Sequence, residues 1–331
     1  MSVFKESTSY RPFVYPWAVE MSKKHAIEMF WDVHQIELQD DLRQYNSKDG
    51  LKTKDVSHET NKYIIDQLLC VFTEMDKTVA GGYTQLLPYI KNNEARTWFL
   101  TVAQRETVHQ RGYAILAETF GFTDKDWSRF SEYAEMRDKL DAMTAPSSLI
   151  GRDEYKAAAI LATILLGEGI GLFGAFAVLL NFKRQGKLMG FNDVNQWSLL
   201  DEQEHVIGNI KFLNEMRKDL TEAENWAIDD LIIKVVKNYE QAEHRFLDLL
   251  YAIGSQQDLD IGDVKKYITY LGQLRLFQLG LISLEEVPTN PLDWMDWMLS
   301  ASRHDAFFEK RVTDYSHKRL EGGVDYSKYR E

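Results

Sequence analysis

Between residues 157 and 180 the chain reads AAAILATILLGEGIGLFGAFAVLL, apolar throughout except for a single carboxylate, Glu168, at its centre. The length would let a helix cross a bilayer. A carboxylate halfway through lipid is costly, however, and no second span accompanies it. A helix that is apolar on every side because protein surrounds it satisfies the same pattern without that cost. Glu168 is then a buried acid, and a buried acid needs a partner such as a metal ion. The glycines at 167, 169, 171 and 174 do not form a phosphate loop, since no strand pattern precedes them and no Lys-Ser/Thr follows. They suit close helix packing or a local bulge beside Glu168.

Apolar residues recur at helical spacing along most of the sequence, which predicts helices near 17–45, 58–85, 92–121, 124–141, 153–186, 190–219, 221–255 and 260–282. Several carry recognisable ends: Asn92-Asn93 before Glu94, Gly121 after Phe120, and Ser198 ahead of an acidic turn. The six prolines, at 12, 16, 88, 146, 288 and 291, fall near the ends or between the periodic segments. Alternating strand patterns are nearly absent. The expected fold is all-α: a single helical domain over 1–311, one bundle of long helices with additional helices around it. Residues 1–15 are polar and aromatic and are expected to wrap the surface. Residues 312–331, VTDYSHKRLEGGVDYSKYRE, are charged, lack an apolar face and are expected to form a flexible C-terminal tail.

A net charge of −12 argues against nucleic acid and against an anionic membrane surface, both of which call for a basic face. Cys70 is the sole cysteine, which excludes a disulfide framework and a thiolate metal site. Any metal must be held by carboxylates and imidazoles. The opening MSVFKESTSYRPFVYP lacks the apolar run of a signal peptide, so a reducing cytoplasm is the expected location.

Two Glu-x-x-His pairs stand out, Glu106-Thr-Val-His109 and Glu202-Gln-Glu-His205. At i and i+3 on a helix the two side chains share one face, where they can grip the same cation. One such pair means little in a chain with eight histidines. The arrangement is more specific, because carboxylate-bridged di-metal bundles take one acid from each of two helices and Glu-x-x-His from each of two others. Glu168 supplies one single acid, and the helix at 58–85 supplies the other from Glu74, Asp76 or Asp66, which helical phase does not separate. Oxygen ligands with one nitrogen per metal suit iron or manganese. His34, His58, His244, His304 and His317 lack comparable partners and read as surface or capping residues.

The run Glu106-Thr-Val-His109-Gln-Arg-Gly-Tyr113 resembles the small subunit of class I ribonucleotide reductase, a family that carries Glu-x-x-His-x-x-x-Tyr. Asp201-Glu202-Gln-Glu-His205, the stretch GLFGAFAVLLNFKRQGKLMGFNDVNQWSLLDEQEH and the segment 8–18 are similar to the same family, and the resemblance spans residues 8–320. It implies a ferritin-like bundle with additional helices around a four-helix di-metal core. By the match of FTEMDKTVAGGY it implies Asp76 as the first ligand, completing the set Asp76, Glu106, His109, Glu168, Glu202 and His205. It also implies that Tyr113 is oxidised to a tyrosyl radical. Trp31 resembles the family's relay tryptophan, linked to the metals through His109 and Asp201. The family's Pro-Glu-Glu after that tryptophan is replaced here by Asp32-Val-His-Gln-Ile-Glu37. On the residues alone, Tyr113 and Trp31 also read as core aromatics, Trp31 being one of eight tryptophans.

The resemblance further implies a homodimer and a large catalytic subunit that the C-terminal tail docks, with Tyr326 or Tyr329 as relay and Tyr315 nearer the folded body. A pair of metal ions, Fe/Fe or else Mn/Mn or Mn/Fe, activated by dioxygen or another oxidant, would take an electron and a proton from Tyr113. The equivalent would pass through Trp31 and the tail to the partner and start ribonucleotide reduction there. With one cysteine this chain cannot reduce the nucleotide itself. Two other readings fit the same bundle: an oxidase or monooxygenase acting on a small apolar molecule, and a ferritin-like iron-storage protein.

Overall fold

The computed structural model describes residues 2–7, 13–123, 125–126, 133–143 and 149–298. Helices dominate, and among the described residues the sole extended pairing is an isolated bridge between Gln256 and Leu259. The helices are α1 (Pro16–Lys23), α2 (Gln39–Asn46), α3 (His58–Leu86), α4 (Asn93–Thr119), α5 (Ala134–Met143), α6 (Asp153–Leu166), α7 (Phe173–Arg184), α8 (Met189–Arg217), α9 (Glu222–Leu250) and α10 (Ile261–Gln278). Side-chain caps start the long ones. Ser57 accepts from Thr60 N, Asn92 from Ala95 N, and Thr221 forms a reciprocal box with Glu224. Residues 2–7 cross the corner between α3 and α4, where Val3 O accepts from the backbone of Lys91 and Asn92.

Helix α3 packs on α4, α4 on α8, α8 on α6, and α6 back on α3, so four helices close a ring around one interior. Helices α3 and α8 each run 29 residues, about 40 Å, so mid-helix side chains meet far from solvent. The apolar stretch forms one wall of this ring through α6, and every residue of its most apolar window is buried by protein. It is not one uninterrupted helix. Between α6 and α7 the backbone widens into a π-helical turn at Gly167–Gly171, with Glu168 on it. Gly169 is required there: its carbonyl accepts from Arg275 Nε at 3.2 Å, and a Cβ on it would stand 2.7 Å from that nitrogen.

The expected helix over 17–45 is broken. After α1 comes a π-helical turn at Lys24–Glu28, then residues 29–32 outside any helix, a short 3-10 turn at Val33–Gln35, and α2. The cause is tertiary. Arg105 on α4 donates from Nη2 to the carbonyls of His25 (2.7 Å) and Met29 (3.3 Å), while Asp32 caps the 3-10 turn through His34 N. The expected helix at 221–255 stops at Leu250. That at 124–141 is described over Ala134–Met143. Contacts divide the chain into a unit at 1–292 and a unit at 293–331; in the second, residues 293–298 are helical. The tail 312–331, with Tyr315, Tyr326, Tyr329 and His317, lies outside the described residues, as does His304.

Candidate metal centre

Each wall of the ring contributes to one buried cluster. Asp76 comes from α3, Glu106 and His109 from α4, Glu168 from the π-helical turn, and Glu202 and His205 from α8. All six are at most 1% exposed. The Nδ1 atoms of both histidines point inward. His109 Nδ1 lies 3.2 Å from Glu202 and 3.5 Å from Glu106. His205 Nδ1 lies 3.2 Å from Glu106, 3.2 Å from Glu202 and 3.3 Å from Glu168. Two ligand sets result, Asp76–Glu106–His109–Glu202 and Glu106–Glu168–Glu202–His205, each with its ligand atoms within 4.8 Å of one another. Glu106 and Glu202 belong to both and so stand between two cation positions, while Asp76 and Glu168 each serve one.

Carboxylates this close repel in the charged form. Burial, and then its acidic neighbours, hold Asp76 well above the usual range. Burial raises Glu168 to about 8, against the pull of His205. Burial alone would lower both histidines, but Glu106 and Glu202 outweigh it and raise them well above the ordinary imidazole range. Glu106 is brought down to about 2 because the two imidazoles overcome the opposing effect of burial. Asp76 Oδ2, both oxygens of Glu106 and Glu202 Oε1 find no hydrogen-bond partner in a fully buried site. Orphaned carboxylate oxygens converging with two imidazoles fit a pair of divalent cations.

A second layer of polar residues orients the first. Asp201 Oδ2 accepts from His109 Nε2 at 3.1 Å and from Trp31 Nε1 at 2.8 Å, and Arg105 Nε lies 3.5 Å away. Trp31 is 5% exposed, stacks on His109 with centroids 5.7 Å apart, and touches half-buried Trp197 at 5.5 Å. Tyr113, one turn beyond His109, is fully buried, stacks on Phe72 at 4.4 Å and donates to Asn195 Oδ1 at 3.2 Å. Burial, and then the charge of Asp76, push its hydroxyl well above the ordinary phenol range, so it stays protonated. The structure thus brings Trp31, Asp201 and Tyr113 to the same site as the six ligand candidates. Of the three acids competing on α3, Asp76 faces the interior. Glu74 points outward beside Lys77, and Asp66 accepts from Tyr45 OH nearly three turns away.

Sequence reasoning missed three neighbours. Tyr83 OH donates to Glu168, 2.8 Å from each oxygen, and accepts from Asn209 Nδ2 at 2.6 Å. Asn209 also donates to Glu168 Oε2 at 2.8 Å. A spacing signal existed for both: Tyr83 is seven residues from Asp76, and Asn209 is four from His205 and seven from Glu202. His25 is buried against His205, with 2.8 Å between their Nε2 atoms. It carried no signal, since a π-helical turn does not follow the 3.6 period used to read the segment. Of the histidines set aside, His34 meets Arg111 on the surface, His244 meets Lys265 O, and His58 accepts from Leu51 N.

The family described as ribonucleotide reductase, small chain, matches residues 7–291. A protein of Invertebrate iridescent virus 6, named "probable ribonucleoside-diphosphate reductase small subunit", is 29% identical over 359 residues, covering 97% of each chain. The ribonucleotide reductase R2 subunit from Clostridium botulinum superposes with a TM-score of 0.73 at 18% identity, covering 90% of this chain and 94% of that one. A dimanganese(II) NrdF from Streptococcus sanguinis superposes at 0.66 with 16% identity, covering 87% and 99%. At those identities the structures establish the ferritin-like helical fold, and the family match establishes the lineage. The chain belongs to the family of ribonucleotide reductase small chains and is the small subunit of an oxidoreductase.

Proposed function

We propose that this chain generates and holds the tyrosyl radical that a large catalytic subunit uses to begin ribonucleotide reduction. The observation that carries this reading is Tyr113, buried one turn beyond His109 at a cluster of four carboxylates and two imidazoles. In this reading Asp76, Glu106 and His109 hold one ion, Glu168, Glu202 and His205 hold the other, and Glu106 and Glu202 reach both. Two iron ions are the expected pair, with Mn/Mn or Mn/Fe as variants of the same ligand set. A redox-active pair held by these residues would supply, together with dioxygen or another oxidant, a one-electron oxidant inside a dry interior.

The chain's own residues do the rest. Tyr113 would yield an electron to the oxidised pair and its hydroxyl proton to a carboxylate of the cluster, and become a neutral radical. Asp76 is the acid that acts most strongly on the phenol, while Phe72 and the closed ring keep water away. Asn195 holds the phenol oxygen in place. Trp31, joined through Asp201 to His109, carries the oxidising equivalent outward. The tail 312–331 docks the large subunit and passes the equivalent on through Tyr326 or Tyr329. The working unit is a homodimer in the cytoplasm.

Electron paramagnetic resonance on chain loaded with iron and oxygen, or with manganese and an oxidant, tests this. A tyrosyl signal lost in Tyr113→Phe with metal content unchanged is the expected result. An undiminished signal in that variant would refute the role of Tyr113.

A further inference from the structure

The two ligand histidines are oriented differently. His109 turns Nε2 to a carboxylate, Asp201 Oδ2, at 3.1 Å. His205 turns Nε2 to another imidazole, that of His25, at 2.8 Å, with the rings at 84° and their centroids 4.7 Å apart. Two imidazole nitrogens at that distance require one N–H and one lone pair. His205 Nδ1 faces Glu106, Glu168 and Glu202, so it is the nitrogen that would hold the ion, and the ring proton resides on Nε2. His205 is therefore the donor and His25 the acceptor. The proton of His25 then sits on Nδ1, which faces Asp201 Oδ1 at 3.6 Å. Neither of those two buried atoms has a hydrogen-bond partner of its own.

A ligand histidine needs a partner for its far nitrogen, which fixes the ring and sets its basicity. For His109 that partner is charged. For His205 it is a neutral ring delivered by the π-helical turn, with its carbonyl tied to Arg105 and its ring against Trp98 at 6.1 Å. The same ring faces Asp201, so His205, His25, Asp201 and His109 form one line linking both cation positions to Trp31.

Resting on the di-metal reading above, we propose that His25 is a positioning residue for the cation position served by His205. It holds His205 with Nδ1 toward the ion, supports the affinity of that position alone, and couples it to Asp201. Glutamine can replace it, because its amide oxygen accepts from His205 while its nitrogen donates toward Asp201. Leucine can do neither.

The test is titration of the apo full-length chain with Mn(II), followed by calorimetry and by paramagnetic resonance of bound manganese, for wild type, His25→Leu and His25→Gln. Two ions bind the wild type. In His25→Leu one ion keeps its affinity and the other weakens about 10- to 100-fold, the usual effect of losing an outer partner of a metal ligand. His25→Gln recovers most of that loss. Should His25→Leu fail to fold, His25→Asn, too short to reach His205, replaces it with the same expectation. Unchanged binding, equal weakening of both ions, or a glutamine variant as weak as the leucine one overturns the assignment of His25. A wild-type chain that takes no Mn(II) overturns the di-metal reading as well.

Discussion

Metal loading should expel protons, and the structure says from where. Without cations, Asp76 and Glu168 keep their protons to higher pH than ordinary carboxyls, chiefly through burial, and His109 and His205 keep theirs longer than ordinary imidazoles because of the carboxylates around them. Glu106 and Asp201, each at about 2, are already ionised and contribute none. A divalent ion needs these groups deprotonated, so protons compete with it and raising the pH removes the competition. Affinity therefore rises with pH. Each proton displaced adds tenfold per pH unit to the overall constant, or about 1.4 kcal/mol. Coupling among the four groups spreads the release over about two to four protons, giving about 3–5 kcal/mol per unit near neutrality. The slope falls as the pH passes about 8, where Glu168 ionises unaided. Calorimetric titration with Mn(II) at pH 6.5 and 7.5, in buffers of different ionisation enthalpy, counts the protons directly. Release of less than one proton for the filled site, or affinity that falls with rising pH, would refute this reasoning.

Other expectations follow from the same geometry. Removing residues 312–331 leaves metal content and radical intact but abolishes nucleotide reduction with the large subunit; full activity in the truncated chain would refute the docking role of the tail. Tyr83→Phe strips the phenol hydrogen bond from buried Glu168 and leaves Asn209 Nδ2 with Glu168 Oε2 as its remaining acceptor, at a cost of about 1–3 kcal/mol. In the apo chain this lowers the melting temperature by a few degrees, and an unchanged melt would show that the phenol contributes nothing to holding Glu168.

Much of this candidate site was legible in the sequence because five of its six candidate ligands sit on regular helices. The i, i+3 pairs at 106/109 and 202/205 keep one face by helical geometry, and Glu168 stood out as an acid in an apolar run. Asp76 was not separable from Glu74 by phase, since residues two apart on α3 are distinguished by which face packs inward, a tertiary fact. The break after Lys23 was invisible for a similar reason. It is imposed by Arg105 from α4, and it is what turns His25 toward His205 and Trp31 toward Asp201. Tyr83 and Asn209 were legible by spacing yet passed over, because tyrosine and asparagine are ordinary in a helix unless a neighbouring carboxylate needs a donor.

The central claim is that six side chains hold two redox metal ions beside Tyr113. Anomalous diffraction from crystals of the chain grown with Mn(II) tests it most directly. The account predicts two peaks, one bounded by Asp76 and His109, the other by Glu168 and His205, with Glu106 and Glu202 reaching both. A single peak, peaks elsewhere, or none would contradict it.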